Sequence, residues 1–215
     1  MNNTVIEVVH ISKKFGERHV LDDISFKAHA GQIIGISGPN GVGKSIFLRV
    51  LCGFLRPDDG QVTIWGQTVG RDIEFPLNTG ILIDNPGFIN HLTGLHNLKL
   101  LAMIQDKINE NQIRHTMEMV GLDPNSRISV NKYSTGMRQR LGLAQALMEQ
   151  PLLLILDEPT SGIDRAGTTD VQSLMRSLAS EGKAIVLTSH SAQELSEVCD
   201  FVYEMEQGKL HLSHS

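Results

Sequence analysis

Two cysteines, two tyrosines and a single tryptophan are all that 215 residues contain of those types. Cys52 and Cys199 have no metal-ligand spacing, and both are expected as reduced thiols of a cytosolic protein. No apolar run approaches the ~20 residues that a membrane-spanning helix needs, and no signal peptide opens the chain, so any spanning segment is expected in another polypeptide. Basic charge is also short. The formal net charge of −5 offers no footprint for nucleic acid. Internal repeats and low-complexity linkers are absent, which leaves one domain spanning 1–215. The chain ends soon after a turn at residues 206–209, and no room for a regulatory domain is expected beyond it. The hydrophobic share of 40% is ordinary, and the length suits one α/β domain with a large core.

What the chain does have is glycine at close spacing. Residues 38–45 read Gly38-Pro39-Asn40-Gly41-Val42-Gly43-Lys44-Ser45, between an apolar run at 33–36 and an apolar helix-like stretch at 45–51. Backbone N–H groups meet a triphosphate closely only where side chains stay clear, and the start of a helix adds partial positive charge. Strand, loop and helix in that order are the context the motif requires. Lys44 is expected to reach the outer phosphates and the Ser45 hydroxyl to ligate Mg²⁺.

A second motif follows Pro151. Residues 152–156 are five consecutive apolar residues, too few for a core helix and suited to a buried parallel strand. Asp157 ends the run, where a carboxylate can hold a metal through water, and Glu158 is the candidate to orient or deprotonate an attacking water.

Between the two motifs lies Tyr133-Ser134-Thr135-Gly136-Met137-Arg138-Gln139-Arg140-Leu141, followed by an Ala/Leu-rich run to Leu147. Here the chain resembles the ATP-binding subunits of ABC transporters, and the Tyr-Ser-x-Gly-Met form resembles the branch that exports drugs, peptides and antibiotics. The resemblance implies an α/β P-loop NTPase. Its RecA-like core has a mainly parallel sheet, an N-terminal antiparallel β subdomain and a helical subdomain inserted at about 86–149. It also implies roles residue by residue. Phe15 and Val20 match positions that pack on adenine and ribose, although a Phe beside an N-terminal strand is equally a core residue. The loop from Gly38 through Ile46 matches the phosphate grip, Asp164 falls in a loop between two subunits, and His190 matches a contact to the terminal phosphate. An isolated His after a strand is otherwise most often structural. Ser134 and Gly136 of one subunit would close on the ATP held by another. The implied cofactors are ATP and Mg²⁺. The implied partners are a second copy or homologous ATPase subunit and a polytopic permease, with no nucleic acid, at the inner face of a membrane.

Three departures stand out. Ile46 replaces the family's usual Thr, Thr135 and Met137 replace Gly and Gln, and Asp84 stands where a metal-binding hinge Gln is usual. An acid at the last position resembles lantibiotic-immunity exporters, which carry Glu, and would serve a hard cation as a stronger ligand than an amide. Alternatively, Asp84 only begins the Asn85-Pro86-Gly87 turn.

The remaining elements are coarser. Strands are expected at 5–9, 24–28 and 32–36 in an antiparallel opening third, with residues 58–60 as a hairpin turn. Thr93 is the N-cap of a helix carrying Leu95, Leu98 and Ala102, and a second helix runs from near Asn109 to Gly121. Residues 88–92 are either subdomain core or a docking patch. His211 and His214 fall in a polar, unstructured end. A pore-less ATPase of repair or translation is the alternative function, but its long insertions and basic arms are missing. A nucleotide-dependent regulator that no longer turns over is a third reading, kept open by Ile46 and Asp84.

Overall fold

A computed structural model describes residues 4–84 and 86–214. Two long strands open the chain, β1 (Thr4–Phe15) and β2 (Arg18–His29), paired antiparallel. Next come β3 (Ile33–Ser37), α1 (Lys44–Leu51), β4 (Asp59–Ile64), β5 (Gln67–Thr68) and β6 (Thr79–Leu82). The inserted helices are α2 (Gly94–Gln105), α3 (Glu110–Met119) and α4 (Thr135–Leu147), with a 3₁₀ turn at Val130–Lys132. The core resumes with β7 (Leu153–Leu156), α5 (Arg165–Ser180), β8 (Ala184–Ser189), α6 (Ala192–Ser196), β9 (Phe201–Glu206) and β10 (Lys209–His214).

Two sheets result. The smaller has the order β2-β1-β4-β5 and is antiparallel throughout. The larger has the order β10-β9-β3-β8-β7-β6, and all its pairings are parallel except β9 with β10. The expected α/β architecture with its antiparallel and helical subdomains is therefore present. Strands buried on both faces read as continuous apolar runs. In β7 all four residues are buried, and in β8 all six. Alternate side chains feed two cores: Leu154, Leu156, Ile185 and Leu187 face the helical side, while Leu153, Ile155 and Val186 face α1 and the antiparallel sheet. Phe47 of α1 lies fully buried there, its ring 5.6 Å from that of Phe26.

The insert is shaped by its caps. The Thr93 side chain accepts from the His96 N–H to start α2, with Leu98 and Ala102 buried and Leu95 packed against the core. Asn109 and Gln112 form a reciprocal capping box at α3, and Gly121 with φ 75° follows its last turn, as expected.

Three expectations are corrected. The strand expected at 32–36 is real, but it lies inside the parallel sheet between β8 and β9, because all five residues of β3 are buried. Residues 58–60 are not a hairpin turn. Asp59 and Gly60 belong to β4, and the Asp58 carboxylate accepts from Lys13 Nζ and from the Lys14 N–H, each at 2.7 Å. These bonds hold the Asp58 carboxyl below its ordinary pKa. The polar end is likewise no loose tail, since Lys209–His214 form β10 on the edge of the large sheet. Asn85, in the turn expected after Asp84, lies outside the described residues.

Cys52 and Cys199 are free and buried, and burial raises both thiols to a pKa of about 12. Both therefore stay protonated near neutral pH and behave as small core side chains.

Candidate functional site

The carboxyl ends of β3, β7 and β8 converge beside the start of α1, at an open cleft of about 540 Å³. Ligands of open α/β sheets collect at this edge. The loop from Gly38 to Gly43 forms one wall, and its backbone explains its glycines. Gly41 has φ 77° and Gly43 has φ 125°, a region that L side chains avoid. A Cβ on Gly43 would also stand 2.9 Å from the Val20 carbonyl oxygen.

Lys44, the first residue of α1, is nearly fully buried. Its ammonium donates to the Gly38 carbonyl at 2.6 Å and the Pro39 carbonyl at 3.3 Å, and lies 3.6 Å from Glu158 Oε1. A buried cation needs partners of this kind, and here they also aim it into the loop. The next residue, Ser45, donates to Asp157 Oδ2 at 2.5 Å. Thr188 on β8 donates to Asp157 Oδ1 at 2.6 Å. Asp157 is thus held on both oxygens, and its N–H donates to Leu82 at the end of β6.

Glu158 turns sharply out of β7, with φ 44°. A non-glycine residue in the left-handed region costs about 1–3 kcal/mol and persists only where its surroundings fix it. They do so here. The Glu158 N–H donates to Thr188 Oγ1 at 2.9 Å, and its carbonyl accepts from Gln139 Nε2 at 2.9 Å and from the Ser161 N–H at 3.0 Å. The turn points the carboxylate between Lys44 and His190, whose Nδ1 is 3.6 Å from Glu158 Oε2.

Asp84 also lines the cleft, again with a positive φ of 59°. Its Oδ2 accepts from Arg49 Nη2 of α1 at 2.6 Å. Phe15, Val20, Asn40 and Ile46 complete the walls expected from sequence, and Phe15 is half exposed there with Lys13 Nζ 5.8 Å from its ring centroid. Among the described residues no three of His, Cys, Asp and Glu converge as a metal cluster. The oxygen donors Ser45, Asp157 and Asp84 nevertheless suit a hard cation, provided a ligand supplies further oxygens.

Not every expected site residue enters this cleft. Ser134 caps α4, accepting from the Met137 N–H, and is exposed; Gly136 packs close to the Gly162 carbonyl. Asp164 caps α5 by accepting from the Gly167 N–H at 3.2 Å. Sequence reasoning missed four residues that structure brings in: Arg18, Arg49, Thr188 and the side chain of Gln139. Thr188 did leave a trace, as the first polar residue at the end of an apolar strand.

Thr188→Val tests this arrangement. It removes a donor to Asp157 and the acceptor of the Glu158 N–H. The expected result is a loss of about 1–3 kcal/mol of stability in denaturant melts together with slowed ATP turnover. Wild-type values for both would contradict the role given to Thr188.

The family model described as ABC transporter matches residues 21–161. The ABC transporter ATP-binding protein YybJ of Bacillus subtilis (strain 168) is 38% identical over 209 residues, covering 97% of this chain and 96% of that protein. The bacitracin transport ATP-binding protein BcrA of Bacillus licheniformis is 36% identical over 210 residues, 97% of this chain and 69% of the relative. The lantibiotic transport ATP-binding protein SrtF of Streptococcus pyogenes is 31% identical over 209 residues, 97% and 90% of the two chains. Among solved structures, the dimeric post-hydrolysis state of the ATP-binding cassette MJ0796 bound to ADP and Pi aligns with a TM-score of 0.86 over 97% of this chain and 98% of that one. At 20% identity that likeness bears on the fold alone. Fold, family match and relatives at 31% to 38% identity agree, and the chain belongs to the ABC transporter family as an ATP-binding, ATP-hydrolysing subunit.

Proposed function

We propose that this subunit works in a pair beneath a separate polytopic permease, at the inner face of a membrane, and powers export of a peptide antibiotic, a drug or a similar molecule. One observation carries the reading: Lys44, Ser45, Asp157 and Glu158 gather in one cleft, while Ser134 and Gly136 stand outside it at the exposed start of α4. An open phosphate grip and an exposed helix start on the same chain are complementary parts. Two copies meeting head to tail would close each ATP between them, and hydrolysis would release the closure. Asp164 stands near the start of α5, next to Gly162, which packs on Gly136, and would lie along the seam between copies.

Each residue then has a task. The backbone of residues 38–46 binds the phosphates, and Lys44 neutralises the outer ones. Ile46 supplies no hydroxyl there, which forgoes about 1 kcal/mol of hydrogen bonding. Glu158 accepts a proton from the attacking water, and His190 contacts the terminal phosphate. Phe15 and Val20 pack on the base and sugar. Mg²⁺ would supply neutralisation of the phosphate charge at this site. Ser45 and Asp157 would hold it, with Asp84 as a further carboxylate. An exposed ion pair such as Arg49–Asp84 is worth about 0–1 kcal/mol, so Asp84 can leave it for a cation at little cost.

The peptide-antibiotic direction draws on the bacitracin and lantibiotic transport relatives and on the acid at position 84. No described helix is long and apolar enough to cross a membrane, so transport calls for another chain. A groove of about 490 Å³ beside β6 and α2, with Phe75, Leu77 and Ile104 exposed on its walls, suits docking of that permease. Of the patch expected at 88–92, Phe88 packs on the core and Ile89 is exposed near the same hinge.

Two measurements test the reading. Gentle solubilisation of membranes from cells carrying a tagged chain should recover a polytopic protein of about six spans in equal amount. Recovery from the soluble fraction alone, or with nucleic acid or ribosomes, would refute the transporter role. Asp84→Ala should raise the Mg²⁺ concentration giving half-maximal ATPase and weaken Mn²⁺ retention by the ATP-bound chain. An unchanged metal requirement would remove Asp84 from the metal's ligands.

A further inference from the structure

Glu158 is held in its left-handed turn from two directions, and the two come from different parts of the fold. Thr188 of β8 receives the Glu158 N–H, a tie within the sheet. Gln139 of α4 donates Nε2–H to the Glu158 carbonyl at 2.9 Å, a tie from the helical insert. Because the acceptor is a carbonyl, only the amide nitrogen of Gln139 can face it. Gln139 also lines the cleft while remaining partly buried. It lies three residues from Gly136, on the same helix whose exposed start carries Ser134.

We propose that Gln139 is a positioning residue for Glu158, through which the placement of the helical insert sets the aim of the catalytic carboxylate. The proposal rests on the reading of Glu158 as the group that takes a proton from water. The geometry gives the reason. Glu158 at φ 44° has no intrinsic preference for its conformation, so its carboxylate direction depends on the bonds at its own peptide. Removing the Gln139 donor leaves the carbonyl held by the Ser161 N–H, in the following loop. The peptide can then rotate, and the carboxylate moves relative to Lys44 and His190, each 3.6 Å away. The Gln139 amide donates to the Glu158 carbonyl and not, among the described residues, to the loop that grips phosphate, so its substitution is expected to change turnover more than nucleotide affinity.

The test is a double-mutant cycle in the full chain. Gln139→Met keeps the length of the side chain and removes its donor. In an otherwise wild-type chain it should lower kcat by about fivefold or more while KM for ATP stays within about twofold. In a Glu158→Gln background the same substitution should change the residual turnover by less than about twofold, because the carboxylate it aims is gone. Thermal melting and equilibrium ATP binding of each variant complete the set. If Gln139→Met keeps wild-type kcat while Glu158→Gln is slow, the positioning role is wrong and the role of Glu158 stands. An equal loss in both backgrounds would show that Gln139 acts through something else. Loss of melting temperature and ATP binding together would make it a residue of the fold. Wild-type turnover by Glu158→Gln would overturn the role of Glu158 and the positioning role with it.

Discussion

The Asp157 carboxylate accepts a hydroxyl from the P-loop helix on one oxygen and a hydroxyl from β8 on the other. Three segments far apart in sequence meet through it: Ser45, Asp157 and Thr188. Charge-assisted hydrogen bonds of this kind are short and strong, and in a half-buried site they fix geometry as well as energy. Glu158 depends on the same junction, because the hydroxyl that donates to Asp157 also receives the Glu158 N–H. Lys44 is placed by it too, since Ser45 anchors the first turn of α1 and Lys44 precedes Ser45. The Gly-rich loop, the oxygens of Ser45 and Asp157, and Glu158 therefore share one support, which lies on the buried parallel sheet.

That support explains why the chemistry was largely legible from sequence. Closely spaced glycines before Lys44, and an apolar run ending in two acids, follow from local physics. The backbone must come near a phosphate, and a strand must be buried before it can deliver charge at its end. The N-cap Thr93 was readable for a similar reason, because a cap bonds within its own first turn. What escaped were links between distant elements. Thr188 is 31 residues from Asp157, and Gln139 is 19 from Glu158. No spacing rule announces such bonds. The strand at 32–36 reads as part of an antiparallel opening third, but burial of both its faces draws it into the larger sheet. The Asp-Asp-Gly run looked like a hairpin because its residues favour turns. In the fold Asp58 is instead bound to Lys13 and Lys14, and β4 begins one residue later.

The insert packs on this support through a shared apolar core, in which Leu141, Leu143 and Ala144 join Leu154 and Leu156, and through particular contacts beside the site. One is Gln139, at the carbonyl of Glu158. Another is Gly142, where an added Cβ would lie 2.8 Å from Leu82 at the end of β6. Both contacts fall beside Asp157 and Glu158, and the groove proposed for docking lies between the insert and β6. Under the proposed function, a body that borders both the docking groove and the Glu158 turn has the placement needed to relay one to the other. The exposed start of α4 gives the same body a third surface, the one proposed to meet a second copy.

The central claim is that one chain holds half of each site. A structure of Glu158→Gln with ATP and Mg²⁺ tests it most directly. The account predicts two chains enclosing two nucleotides, each touched by Lys44 and Ser45 of one copy and by Ser134 and Gly136 of the other. A single chain enclosing ATP with its own Ser134 and Gly136, or a pair whose contact leaves both clefts open, would contradict it.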